Sequence, residues 1–136
     1  FFDTYAGMFH AFNCLEQAVA KALAAGRSRE AYDRLFGGKY DTLRHLVEQT
    51  LTAEHGKDPL ERYLLLLCAQ AALQRVADQH GEFAAGQRRE FKALRQQCAV
   101  RAEVREQIAF ATTAERAAFF DWYEGQFLKR MAEQPA

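Results

Sequence analysis

The fold is decided by residues 58–81, DPLERYLLLLCAQAALQRVADQHG. The stretch opens with a helix-start signal: Asp58 can cap the N-terminus, Pro59 suits the first helical position, and Glu61 can close a capping box. Its middle is apolar around most of the helical circumference, which is typical of a helix surrounded by others. We expect Gly81 to end it with a left-handed C-cap. The stretch therefore predicts a central, buried helix.

Amphipathic segments before this stretch predict three further helices. Apolar residues recur every three or four positions, the spacing of one helical face. The turn-forming glycines Gly26, Gly37 and Gly38 separate the segments. The predicted helices cover residues 3–25, 28–36 and 40–54.

The segments after it continue the helical pattern. Residues 84–110 carry an apolar stripe that changes face, so we expect a break near residues 97–102. A second capping box, residues 112–115, opens a last helix. No β alternation and no internal repeat is visible, so the sequence predicts an all-α, single-domain bundle over residues 1–136, with four or five long helices and a short connecting one. The apolar stripe of the last helix comprises Phe119, Phe120, Tyr123, Phe127 and Met131.

The composition supports one compact core and limits the kind of partner. Of the 136 residues, 49% are hydrophobic and 12% aromatic, and 18 basic residues balance 18 acidic ones. A neutral, apolar-rich chain is not disordered, and any affinity for nucleic acid must come from a local patch. No apolar run reaches the roughly 20 residues that span a bilayer, so we expect no membrane partner. Cys14, Cys68 and Cys98 form no CxxC pair and predict reduced thiols in a cytoplasmic protein.

Several common site types are unsupported. The sequence has neither GxGxxG nor GxxxxGK[ST], and its cysteines and histidines lack zinc spacing. His45 and Glu48, one helical turn apart, are the only hint of a metal pair, and such pairs are commonplace on helix surfaces. We therefore predict no metal and no cofactor.

Arg75 and His80 stand five residues apart at the exit of the central helix. Five residues turn an ideal helix by about 500°, which leaves the two side chains roughly 140° apart. They converge only if the helix loosens near Gly81, or if two chains each supply half a site. Such a pair suits RNA cleavage, in which the ribose 2′-hydroxyl attacks the phosphate: His80 would shuttle the proton and Arg75 would hold the phosphate oxygens.

The segment RVADQHG, residues 75–81, at the end of a helix in an all-helical chain resembles the HEPN superfamily. The motif of that family is an Arg, four to six residues, then a His that is often followed by Gly. The resemblance implies a dimeric, metal-independent endoribonuclease of a toxin–antitoxin, phage-defence or CRISPR-linked system, with Arg75 and His80 as the catalytic pair. Val76 departs from the pattern, because active members usually carry a polar residue after the Arg. Inactive members serve as binding modules.

A basic stretch follows the motif. Arg88, Lys92 and Arg95 fall at helical spacing and, with Arg89, are the candidate RNA-binding residues, since a phosphate backbone requires such a ridge. The alternative interpretation is a solvated helix face whose charges pair with acidic residues elsewhere.

Aromatic residues are concentrated at the two ends of the chain. Most are expected in the core, where the first and last helices pack together. Trp122 falls off the main apolar stripe, and if it is exposed together with Phe120 or Phe1 it would mark a protein–protein surface. The sequence thus predicts a HEPN-like homodimer that binds or cleaves RNA, or alternatively a non-catalytic helical module that binds a protein partner through its aromatic surface.

Overall fold

A computed structural model describes residues 2–52 and 59–133, with side chains from residue 10 onward except at 60, 127, 128 and 130–133. No strand occurs in these ranges, and the predicted all-α class is confirmed. Three of the described helices exceed 20 residues, α2 has the predicted bounds, and α3 is shorter than the sequence pattern suggested. The helices are α1 (Phe2–Ala24), α2 (Ser28–Phe36), α3 (Leu43–Leu51), α4 (Pro59–Gln79), α5 (Gly81–Gly86), α6 (Arg88–Cys98), α7 (Arg101–Arg105) and α8 (Thr113–Glu133).

Helix α4 lies at the centre of the bundle. Helices α1, α3, α5, α6 and α7 all pack against it. Removing its apolar side chains from water is the main force that assembles these helices. The prediction of a central buried helix is confirmed, whereas its predicted N-cap, Asp58, lies outside the described residues. Side chains of α4 that are almost completely buried include Tyr63, Leu64, Leu66, Cys68 and Leu73.

Glycines end the first two helices, as the sequence predicts. Gly26 follows α1 with φ +75°, a left-handed conformation that glycine adopts without steric cost. Gly37 caps α2 in an extended conformation, and a Cβ atom there would lie 2.5 Å from the carbonyl oxygen of Asp33. Only a residue without a side chain fits this turn.

Helix α3 begins later than expected. Its predicted start, Tyr40, precedes the left-handed Asp41 (φ +66°), which interrupts a helical path. Thr42 then caps the helix, because its Oγ1 accepts a hydrogen bond from the His45 backbone N–H at 3.1 Å. The predicted end of this helix, Glu54, lies outside the described residues.

The joint between α4 and α5 differs from the prediction. The expected left-handed cap at Gly81 is wrong: α4 ends at Gln79, and Gly81 is the first residue of α5. The backbone N–H of His80 donates to the Val76 carbonyl at 2.9 Å, and the His80 carbonyl accepts from the Ala84 N–H at 3.0 Å. Helical hydrogen bonding therefore continues across a one-residue joint, and no left-handed residue is needed.

The break predicted near residues 97–102 is confirmed. Helix α6 ends at Cys98, and α7 begins at Arg101. The short α7 turns the chain so that Val104 enters the core and Arg105 faces the first turns of α8. Residues 81–105 thus form three short helices, α5, α6 and α7.

Aromatic and polar contacts hold α8 against the bundle. Phe120 is buried, with its ring centroid 4.8 Å from that of Tyr63, and the Arg105 guanidinium lies 4.3 Å from the Phe120 ring centroid. The Tyr63 hydroxyl donates a hydrogen bond to Glu124, and Arg101 approaches the same carboxylate at 3.3 Å. Burial raises the pKa of Glu124.

The predicted apolar stripe of the last helix is confirmed where the structure describes it. Phe120 and Tyr123 are buried in the core, and Phe119 is partly buried. The side chains of Phe127 and Met131 lie outside the described residues.

The three cysteines form no disulfide, and two of them are buried. Burial raises the pKa of the Cys98 thiol to about 11, and it raises the pKa of Cys68 further still. Both thiols therefore pack as small apolar groups, as the sequence predicts, while Cys14 is exposed. Over the described ranges, no helix has the length and apolar character needed to cross a membrane.

Candidate functional site

His80 occupies the joint between α4 and α5. Its backbone (φ −131°, ψ 58°) has left the helix, and its side chain is half-buried. The residue lines an open groove of about 550 Å³ between the end of α4, helix α5 and the α1–α2 turn. The other lining residues are Leu23, Ser28, Gln79, Gly81, Glu82, Phe83, Gly86 and Gln87.

Arg75 faces a different partner. Its Nε and one terminal nitrogen each lie 2.6 Å from an oxygen of Glu16 on α1, which forms a two-point ion pair. The side chains are only 28% and 15% exposed, so water screens this pair weakly. Charge-assisted, bidentate hydrogen bonds of this kind are the strong ones. Arg75 therefore ties α4 to α1.

The structure does not bring Arg75 and His80 into one groove. The helix loosens at His80, as convergence within a chain would require, yet Arg75 is not among the residues that line the His80 groove. Two donors of its guanidinium are already engaged by Glu16. A phosphate would have to compete with this carboxylate.

Three of the four candidate RNA-binding residues share a second groove. Arg88, Lys92 and Arg95 follow one face of α6 and line a cavity of about 410 Å³ against α4 and α5. None of the residues that line it is acidic, and within the described chain none of the three cations forms an ion pair. We call this cavity the cation groove. The remaining lining residues are Ala77, Gly81, Ala84, Ala85 and Phe91.

The other charges of α6 point elsewhere. Arg89 is exposed but does not line the cation groove. Glu90 lines a separate cavity beside Arg44 and Glu48 of α3. The segregation of charge around α6 leaves the cation groove with a local positive potential, although the chain as a whole is neutral.

The two grooves meet at Gly81, which lines both of them. A Cβ atom built at Gly81 would have no atom within 4 Å, so space around this residue is open. A ligand longer than one groove can therefore extend past Gly81 into the other. The candidate site is this pair of adjoining grooves, one with His80 and one with three cations.

Sequence reasoning missed the residues that tertiary packing brings to the site. Leu23 and Ser28 reach the His80 groove from the α1–α2 turn, more than 50 positions away along the chain. Glu16 reaches Arg75 across the α1–α4 interface. The groove residues close to His80 in sequence, such as Gln79, Glu82 and Phe83, could have been found from local sequence.

The metal hint at His45 and Glu48 has a simpler explanation. Glu48 pairs with Arg44 at 3.3 Å, and the His45 ring makes an edge contact with the Tyr40 ring, with centroids 5.0 Å apart. In the part of the chain that the structure describes, no three His, Cys, Asp or Glu side chains come together as a metal site would need.

The chain was compared with family models, curated proteins and solved structures. No family model matches the chain, and no curated protein or solved structure matches it. The resemblance to the HEPN superfamily therefore stays a hypothesis. Function is inferred from the two grooves and the ion pair.

We predict that Glu16 and Arg75 stabilise the fold jointly. In a double-mutant cycle of Glu16→Gln and Arg75→Met, urea unfolding should give a coupling energy of about 1–3 kcal/mol, because the pair is bidentate and weakly screened. The matched control is the Arg29–Asp33 pair of α2, whose side chains are 84% and 55% exposed and should couple much less. Equal coupling energies in the two cycles would contradict a stabilising ion pair between α1 and α4.

Proposed function

We propose that this chain is a HEPN-like helical domain that binds RNA, with the cation groove as the site of the phosphate backbone. The observation that carries the proposal is the groove itself: three cations on one face of α6 that form no ion pair among the described residues, with no acidic residue in the lining. Guanidinium and ammonium groups in such a row bind successive phosphates and release condensed counterions.

The lining of the cation groove favours binding of the RNA phosphate backbone over recognition of particular bases. Apart from the cations, its lining is small and apolar, and Phe91 is buried in the core. It therefore offers charge to phosphates but no side-chain amide or carboxylate to base edges. Contacts of this kind position a nucleic acid without specifying its sequence.

The catalytic part of the proposal requires two chains and no metal. Within one chain Arg75 is engaged by Glu16, and the His80 groove does not include it. We propose that a homodimer brings Arg75 of one chain towards His80 of the other, and that an RNA phosphate displaces Glu16. The buried, reduced thiols of Cys68 and Cys98 favour a cytoplasmic setting, and the family resemblance favours a role in bacterial defence.

Charge reversal in the cation groove tests RNA binding. In fluorescence anisotropy with a labelled RNA, Lys92→Glu should weaken binding at least tenfold, because it removes a cation and places a carboxylate among phosphates. Arg89→Glu is the matched control: it makes the same change of charge on the same helix outside the groove, and it should cost only a few-fold. Equal losses, or no RNA binding by the wild type, would contradict the proposal.

The same preparations decide between binding and cleavage. RNA is incubated with wild type and His80→Ala in EDTA, and the products are separated on a denaturing gel. Fragments produced by the wild type and lost in His80→Ala support catalysis by His80. Fragments from both proteins, or from neither, would leave a binding module only.

A second candidate function is a protein-interaction module, and one observation favours it. Trp122 on α8 is 54% exposed at the edge of the core, with its ring centroid 5.8 Å from that of Tyr123. Exposed tryptophans are enriched among the residues that dominate binding energy at interfaces.

Affinity purification from the host tests this candidate. The wild-type chain should retain a defined partner in stoichiometric amount, and Trp122→Ala should lose it. Tyr40→Ala, at a residue 78% exposed on the α2–α3 connection, is the control for a general loss of exposed aromatic surface. Retention of the partner by Trp122→Ala would reject this surface as the interface.

A further inference from the structure

The two adjoining grooves differ in charge. The cation groove has three basic residues and none acidic, whereas the exposed Glu82 is among the residues that line the His80 groove. Within the described chain Glu82 has no ion pair. A carboxylate repels phosphate, so the Glu82 side of the His80 groove favours an uncharged part of a nucleotide over a phosphate.

The lining of the His80 groove combines apolar surface with hydrogen-bonding groups. Leu23 and Phe83 supply apolar surface, and Ser28, Gln79 and Gln87 supply hydroxyl and amide groups that both donate and accept hydrogen bonds. Its volume of about 550 Å³ lies within the range of small-molecule sites. Unpaired bases bind proteins in this way, on an apolar surface with polar groups at the base edge.

We infer that the His80 groove binds a single unpaired guanine base and that Glu82 reads its Watson–Crick edge; this rests on the proposed RNA binding. Guanine presents two adjacent donors, N1–H and an N2 hydrogen, which match the two acceptor oxygens of one carboxylate. Adenine and cytosine pair their amino donor with an acceptor nitrogen, and uracil flanks its single N–H with two carbonyl oxygens. Each of these would place an acceptor against the Glu82 carboxylate.

Gly81 lies where the proposed base site and the proposed phosphate site meet. It lines both grooves and carries no side chain, so a ribose can pass over it while its base enters the His80 groove and its phosphates follow the row of cations. The cations supply affinity for any sequence, and Glu82 supplies the preference among bases.

Gly86 offers a way to fill the His80 groove alone. It lines that groove and not the cation groove, its φ is outside the left-handed region, and a Cβ there would have no atom within 4 Å. Gly86→Leu should therefore obstruct the base without strain. Gly86→Ala is the matched control, because it makes the same backbone change with little added volume.

The test compares labelled uridine heptamers that carry G, inosine, A, C or U at the centre, by fluorescence anisotropy. Wild type should bind the G heptamer about tenfold more tightly than the all-U heptamer, and inosine, which lacks only the N2 amino group, should lose most of this gain. Glu82→Gln should abolish the preference and still bind the all-U heptamer. Gly86→Leu should also abolish it, and Gly86→Ala should retain it.

The outcomes separate this inference from the proposed function. Equal binding of all five heptamers by wild type, or a guanine preference that survives in Glu82→Gln, overturns the guanine site and leaves RNA binding by the cation groove intact. Failure of every heptamer to bind overturns both. A preference that inosine retains in full overturns the assignment of the N2 donor to Glu82.

Discussion

The burial of α4 on nearly all sides is the constraint from which the rest of the structure follows. Five other helices cover most of α4, so a charged side chain on its covered faces needs a partner from a neighbouring helix, whereas Asp78 near its end is exposed. Arg75 does so with Glu16 of α1. The functional surface of the central helix is thereby reduced to its C-terminal end, where His80 emerges between α4 and α5.

This constraint divides the basic residues into two kinds. Arg75 and Arg101 are packed between helices and engaged by carboxylates, so they stabilise the bundle. Desolvation even lowers the pKa of Arg101, while the carboxylate of Glu124 beside it keeps the charge compensated. Arg88, Lys92 and Arg95 of α6 have no such partners in the described chain and line the cation groove. In a protein of zero net charge, this local imbalance is what distinguishes a binding surface from an ordinary solvated face.

Much of the fold could be predicted from local sequence, because its signals act over a few residues. The apolar circumference of α4, the glycine stops at Gly26 and Gly37, and the change of stripe before α7 are all properties of neighbouring positions. The start of α3 was missed because the left-handed backbone of Asp41 is not encoded by hydrophobic period. The left-handed C-cap predicted at Gly81 was wrong for a similar reason. A glycine after a helix indicates such a cap only when the chain leaves the helical path there, and at Gly81 it enters α5.

The candidate site was less accessible to sequence reasoning. The row Arg88, Lys92 and Arg95 follows helical spacing and could be identified as one face, yet the exclusion of Arg89 required the packing of α6 against α5. The pairing of Arg75 with Glu16 joins residues 59 positions apart, so no local pattern contains it. The five-residue spacing predicted that the two side chains share no face of a regular helix and left convergence at a loosened end open, and the contact with Glu16 of α1 fixes where Arg75 points.

The dependence of RNA affinity on salt tests the central claim, that the three cations of the cation groove bind phosphates. For single-stranded RNA, the slope of log K against log salt concentration is about −0.7 for each phosphate neutralised, so three cations should contribute about −2. Replacing Arg88, Lys92 and Arg95 together by Gln should remove that contribution from the slope. A slope that is the same in wild type and in the triple variant would contradict the claim, because the phosphates would then be bound elsewhere.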